Sequence, residues 1–109
     1  YALEGLAKLL QTIESTRRSL KLEQQKLLLL RTMYDGRNRL AVDVSQELSE
    51  HFGQSLLNTV IPRNIRLAEA PGFGESIFSY DPRSHGAISY LALAAELMKL
   101  IKQPDSIHE

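Results

Sequence analysis

The sequence predicts an α/β fold, a mainly parallel sheet flanked by helices. Three observations carry that reading. Segments with apolar residues at helical spacing alternate with short continuous apolar runs, Gly, Pro and Asp punctuate the joins, and the helical connections are long enough for right-handed crossovers between parallel strands. With 109 residues, 43% of them hydrophobic, the chain has material for one small core.

The first helix is marked by Leu3, Leu6, Leu10 and Ile13, and it opens at Tyr1 with no capping residue ahead of it. Arg17, Arg18 and Lys21 gather near its C-terminal end, where the helix dipole favours cations. After the polar Glu23, Gln24 and Gln25, the run Lys26-Leu-Leu-Leu-Leu-Arg-Thr-Met33 reads as a strand buried on both faces. Leucine alone would suit a helix equally well, but the turn signal Tyr34-Asp-Gly36 favours the strand.

Leu40, Val44, Leu48 and Phe52 fall on one face of a second helix, ended by Gly53, a residue suited to the left-handed position. A second strand, Leu57-Asn-Thr-Val-Ile61, is stopped by Pro62. Residues 63–75, with Pro71, Gly72 and Gly74, read as a loop with room for one helical turn, and residues 76–80 as a brief third strand closed by Asp81-Pro82. The last helix is expected over about residues 87–102, with Ile88, Leu91, Ala95, Met98 and Ile101 turned inward.

Composition removes several chemistries. The 13 basic and 13 acidic residues cancel, so no overall field draws the chain to nucleic acid, and any such contact must be local. With no cysteine there is no disulfide, thiolate nucleophile or iron–sulfur ligand. His51, His85 and His108 show no ligand spacing, and no serine, histidine and carboxylate grouping emerges, so neither a metal site nor a catalytic residue is expected. No apolar run reaches the roughly 20 residues that span a bilayer. The expectation is a soluble, cytoplasmic protein without membrane attachment.

Four segments stand out beyond generic patterning. They are Tyr1-Ala-Leu-Glu-Gly-Leu6, Thr32-Met-Tyr-Asp35 with Arg37, the long run Thr59-Val-Ile-Pro-Arg-Asn-Ile-Arg-Leu-Ala-Glu-Ala-Pro71, and Tyr80-Asp-Pro-Arg-Ser-His-Gly-Ala87. In this order and spacing they resemble ParA-type partition ATPases, also called Soj, within the MinD-like group of P-loop proteins. The run from Val60 to Pro71 is the most specific part, since nothing in strand or turn chemistry demands it. One stretch departs from the family pattern: Leu28 stands at about the place of a usual glycine, and Arg31 where an aliphatic residue is usual. An arginine in a central strand must reach an end or find partners.

The resemblance implies the C-terminal part of a P-loop NTPase-like domain, so that residues 1–109 make one partial domain with the phosphate-binding half absent. No Gly-x-x-x-x-Gly-Lys-Ser/Thr occurs in the chain. Nothing here would cradle the β- and γ-phosphates or hold Mg²⁺. ATP and Mg²⁺ are the cofactors implied for the full-length protein. For this chain alone none is expected, and it should be inactive.

The resemblance also implies site residues. Thr32 and Met33, with Pro62, Arg63 and Asn64, would flank the adenine of bound ATP, at the carboxyl ends of parallel strands. A plainer reading of the last three is a strand terminator followed by a helix cap. Arg37 and Arg66 would contact DNA without regard to sequence, with Arg39 and Arg63 as weaker additions, although surface arginines are ordinarily just solvated. Glu4-Gly5 matches a dimer-face position, or is a surface carboxylate beside a close-packing glycine. Tyr80-Asp-Pro-Arg reads as a turn that fixes the last helix.

The function so implied is part of an ATP-dependent chromosome or plasmid partitioning protein. It would dimerise on ATP, bind DNA non-specifically on the nucleoid, and be released when a ParB-type partner stimulates hydrolysis. A MinD-like membrane-cycling regulator is an alternative, opposed by the polar, proline-broken tail of residues 103–109. A truncated interaction module with no nucleotide function is another. The apolar run of residues 27–30 suggests an unpaired sheet edge and hence self-association.

Overall fold

The computed structural model describes residues 2–21 and 27–102. In chain order they form α1 (Ala2–Ser19), β1 (Leu29–Tyr34), α2 (Arg39–Phe52), β2 (Leu56–Pro62), α3 (Ile65–Glu69), a 3-10 turn (Ala70–Phe73), α4 (Ile77–Tyr80) and α5 (His85–Ile101). Tyr1, the polar stretch at 23–25, Lys26 and the tail beyond 102 lie outside the described residues.

β1 and β2 pair in parallel, joined by α2 as the crossover. Leu29 stands opposite Leu56, Arg31 opposite Val60 and Tyr34 opposite Pro62. Between the first two pairs β1 advances by two residues and β2 by four, so β2 bulges at residues 57–59. Between the last two pairs β1 advances by three and β2 by two, which places a second irregularity in β1. Met33 lies there with φ of 53°, a left-handed conformation that side chains with a Cβ rarely adopt.

Side-chain caps define the helix starts. The carboxamide oxygen of Asn38 accepts from the N–H groups of Leu40 and Ala41, and Asn64 does the same for Arg66 and Leu67. Ser76 caps α4 through the Ser79 N–H, and Ser84 caps α5 through the Ala87 N–H. The core lies where β2 meets α5: Ile61 is 2% exposed and Ala87 fully buried, with Leu6, Leu57, Ala70 and Ile77 as the other buried hydrophobic residues among those described.

Several sequence expectations need correction. Residues 77–80 form a helical turn, not a strand, because the Ser76 hydroxyl supplies a cap and no neighbouring strand offers a ladder. The loop at 63–75 holds two short helical segments rather than one. α5 starts at His85, two residues earlier than expected, and its inward face is different. Ile88, Leu91, Met98 and Ile101 are 55–72% exposed and Ala95 is exposed too, while Ala87 is buried and Tyr90, Leu93, Leu97 and Leu100 are half-buried.

Gly53 is right-handed, with φ of −46°. The residues of β1 are half-buried or exposed rather than buried on both faces, because β2 is their only strand neighbour among the described residues. Gly5 packs against nothing within 4 Å of where a Cβ would stand.

Candidate functional site

Parallel pairing brings the C-terminal ends of β1 and β2 to the same end of the sheet. A cavity of about 640 Å³ opens there, within the range of small-molecule sites. Its wall includes all five residues expected to flank a base: Thr32 and Met33 from β1, Pro62 from the end of β2, and Arg63 and Asn64 from the turn that follows. Ile61, Leu67 and Tyr90 complete the apolar side.

Each wall residue is held by local chemistry. The Arg63 N–H donates to the Tyr34 carbonyl at 3.0 Å, closing the parallel ladder at its last rung. Pro62 ends β2 and contributes no N–H. The Asn64 side chain is committed to its capping bonds at 3.1 and 3.2 Å, which bring the first turn of α3 against the cavity. Met33 is 70% exposed. Its left-handed backbone is the strained feature of the site, and such strain gathers at ligand sites. A smaller cavity of about 370 Å³ between β1 and α2 shares Thr32 and Met33 with the first, so these two residues form the partition between the spaces.

The two arginines expected to meet DNA stand in polar networks. Arg37 folds back on Asp35, donating from its backbone N–H at 3.0 Å and from its guanidinium at 3.1 and 3.2 Å. Those hydrogen bonds from the Arg37 side chain and backbone hold the Asp35 carboxyl below its usual range, against the opposing effect of burial. Arg66 donates to Glu69 at 3.1 Å and lies 3.4 Å from Asp81. Tyr80 donates to the same Glu69 oxygen at 3.1 Å and stacks on Phe73 with ring centroids 5.3 Å apart.

The Arg37 side chain is 93% exposed and that of Arg66 51%, so both reach solvent while already paired with carboxylates. Arg39 and Arg63 are exposed as well. His51 is exposed beside Glu47, and His85 is the exposed first residue of α5. Among the described residues no group of three His, Cys, Asp or Glu side chains is placed to hold a metal ion, and no helix is long and apolar enough to cross a membrane.

Two features escaped the sequence reading. Tyr90 belongs to the cavity, and it lies on the second apolar stripe of α5, whose spacing from Ala87 to Leu100 was as regular as the stripe expected to face inward. Arg31 does find partners, as a mid-strand arginine must: its guanidinium donates to the Ser45 hydroxyl at 2.8 Å and to the Leu57 carbonyl at 2.7 Å. The Leu57 partner follows from the bulge in β2, for which the sequence carries no local signal.

No protein-family profile matches the chain. Curated proteins do. An uncharacterized protein of Pseudomonas putida is 54% identical over 95% of this chain and 40% of its own length. The chromosome-partitioning ATPase Soj of Thermus thermophilus is 50% identical over 94% of this chain and 41% of its own length. The chromosome partitioning protein ParA of Caulobacter vibrioides is 46% identical over 90% and 37%. The chain thus spans about two fifths of the length of the relatives it matches.

Proposed function

We infer from the homology of this chain to the ParA and Soj partitioning proteins that it supplies the base-facing wall of a nucleotide site in a partition ATPase. One observation carries the reading. The five residues singled out in the sequence surround a single cavity at the carboxyl ends of parallel strands, where α/β proteins bind ligands. Its apolar lining suits a planar base, and the backbone around Pro62 and Arg63 offers polar groups to the base edge. The same residues do not fit the phosphates. No phosphate-binding loop or metal-ligand cluster accompanies them in the chain, so ATP and Mg²⁺ would need groups supplied by the remaining three fifths of such a protein.

In this reading the complete protein dimerises on ATP, rests on DNA through Arg37 and Arg66 without reading sequence, and is released when a ParB-type partner stimulates hydrolysis. Attachment to DNA would place it on the nucleoid in the cytoplasm. The carboxylates beside each arginine would set their availability, because a phosphate must displace Asp35 from Arg37 or Glu69 and Asp81 from Arg66.

Photolabelling the complete protein with 8-azido-ATP tests the cavity assignment. Label should fall on peptides containing residues 32–33 or 62–68, and label confined elsewhere would overturn it. Replacing Arg37 or Arg66 with alanine in the same protein should weaken binding equally for unrelated duplexes. Each replacement should also lower the slope of log affinity against log salt by about one, because one phosphate fewer is neutralised. Unchanged affinity and slope in both variants would leave the arginines as surface charge.

A further inference from the structure

The bulge in β2 raises a question of hydrogen bonding that the rest of the sheet does not. Across residues 57–59 the strand runs two residues longer than its partner, so the N–H and C=O groups there cannot all meet β1. Two charged side chains from different elements take their place. Glu96 of α5 accepts the Asn58 N–H at 2.7 Å on one carboxylate oxygen and the Thr59 N–H at 2.8 Å on the other. Arg31 of β1 donates to the Leu57 carbonyl at 2.7 Å, to the Asn58 carbonyl at 3.5 Å and to the Ser45 hydroxyl of α2 at 2.8 Å. The Arg31 Nε is buried without a hydrogen-bond partner, a cost that the bonds made by the rest of the guanidinium offset.

These side chains grip the strand immediately before it reaches the cavity. Arg31 precedes Thr32 and Met33 in β1, Thr59 lies three residues before Pro62 in β2, and Glu96 lies on the helix that sends Tyr90 into the same wall. We propose that Arg31 and Glu96 form a two-sided clamp on the β2 bulge that sets where residues 61–64 stand against the cavity, making both of them positioning residues for the ligand bound there. The clamp itself is a statement about the strand. Its effect on ligand rests on the nucleotide reading above.

The complete protein carrying Arg31→Met, Arg31→Lys, Glu96→Gln or the double change Arg31→Met with Glu96→Gln provides the test. Hydrogen exchange is followed on peptides covering residues 56–59 and 60–64, with α2 peptides as the control, and ATP is the binding probe. Glu96→Gln keeps the size but leaves one acceptor oxygen for two strand N–H groups. Exchange should quicken in both β2 peptides, including the Arg63 rung, and not in α2. ATP affinity should fall about tenfold in each of Arg31→Met and Glu96→Gln, the loss expected of a broken charge-assisted bond. The double variant should be little worse than the worse single one. Arg31→Lys, which retains a donor for the Leu57 carbonyl, should recover part of the loss.

Exchange that stays slow, or quickens at 56–59 without reaching 60–64, overturns the clamp whatever ATP does. Quickened exchange at 60–64 with wild-type ATP affinity overturns the positioning role. The azido-ATP label then decides separately whether the nucleotide occupies this cavity. A variant that unfolds outright is replaced by Arg31→Lys or Glu96→Asp and judged on the same peptides.

Discussion

At the scale of single residues, Gly86 shows how a small side chain decides packing. A Cβ built on it would stand inside the Leu67 side chain, so α3 can lie on the first turn of α5 only if this position is glycine. Gly86→Ala should therefore destabilise the fold by about 1–3 kcal/mol, despite the better helix propensity of alanine. A denaturant midpoint at or above that of the parent would contradict the close packing.

Glu96 supplies a pH prediction. Burial pushes its carboxyl up, but hydrogen bonds from the Thr59 side chain and from the Asn58 and Thr59 amides, together with the Arg31 charge, bring it below the usual 4.5. A depressed folded-state pKa means the group stabilises the fold above its unfolded pKa, and that this stability is lost as pH falls through the folded value. Urea midpoints taken from neutral pH down to about pH 3 should decline less steeply for Glu96→Gln than for the parent chain, since one such carboxylate has been removed. Identical slopes would mean that the carboxylate contributes nothing to acid sensitivity.

At the scale of elements, α5 depends on its first turn. The Ser84 side chain, in a residue only 8% exposed, accepts from the Ala87 N–H at 3.1 Å and donates to the Asp81 carbonyl at 2.8 Å. It thereby joins the Asp81-Pro82 turn to the helix. Ser84→Ala should cost about 1 kcal/mol or somewhat more, because the cap is lost and a carbonyl loses its donor. Thermal unfolding measures this, and a Tm within error of the parent would show that backbone bonds alone start the helix. The segment 76–80 makes the complementary point. Its alternation of small and large residues reads as a strand, yet strand character needs a partner, whereas Ser76 lets four residues close a helical turn locally.

At the scale of the whole molecule, surface area is the informative quantity. The chain exposes 8369 Å², whereas a compact monomer of 12.3 kDa would expose about 6,100 Å². Its radius of gyration is 15.9 Å, against about 13 Å for a compact chain of this length. The excess of about 2,300 Å² accords with a chain that spans two fifths of its relatives. Much of it is apolar, on the outer stripe of α5 formed by Ile88, Leu91, Met98 and Ile101.

The isolated chain should therefore self-associate, with weight-average mass rising with concentration in sedimentation equilibrium. A strictly monomeric, folded species at high concentration would count against this. It should also show no magnesium-dependent ATP turnover, since the cavity has no phosphate wall. Activity that survives repeated purification would overturn that expectation.

The sequence by itself determined the alternation of helices and strands, the ends of β2 and α2, and the membership of the cavity wall. These follow from local rules: apolar period, proline without an N–H, asparagine and serine at caps, and the run of residues 59–71. Only the tertiary structure decided which stripe of α5 turns inward. Residues 87, 90, 93, 97 and 100 and residues 88, 91, 95, 98 and 101 both satisfy a helical period, so the choice fell to what β2 and Leu67 could accommodate. It alone decided, too, that Arg31 in β1 and Glu96 in α5 would meet the same bulge from two sides. A mid-strand charge announces that a partner is needed, but a residue 65 positions away in the chain can help answer it only after the fold has brought the two together.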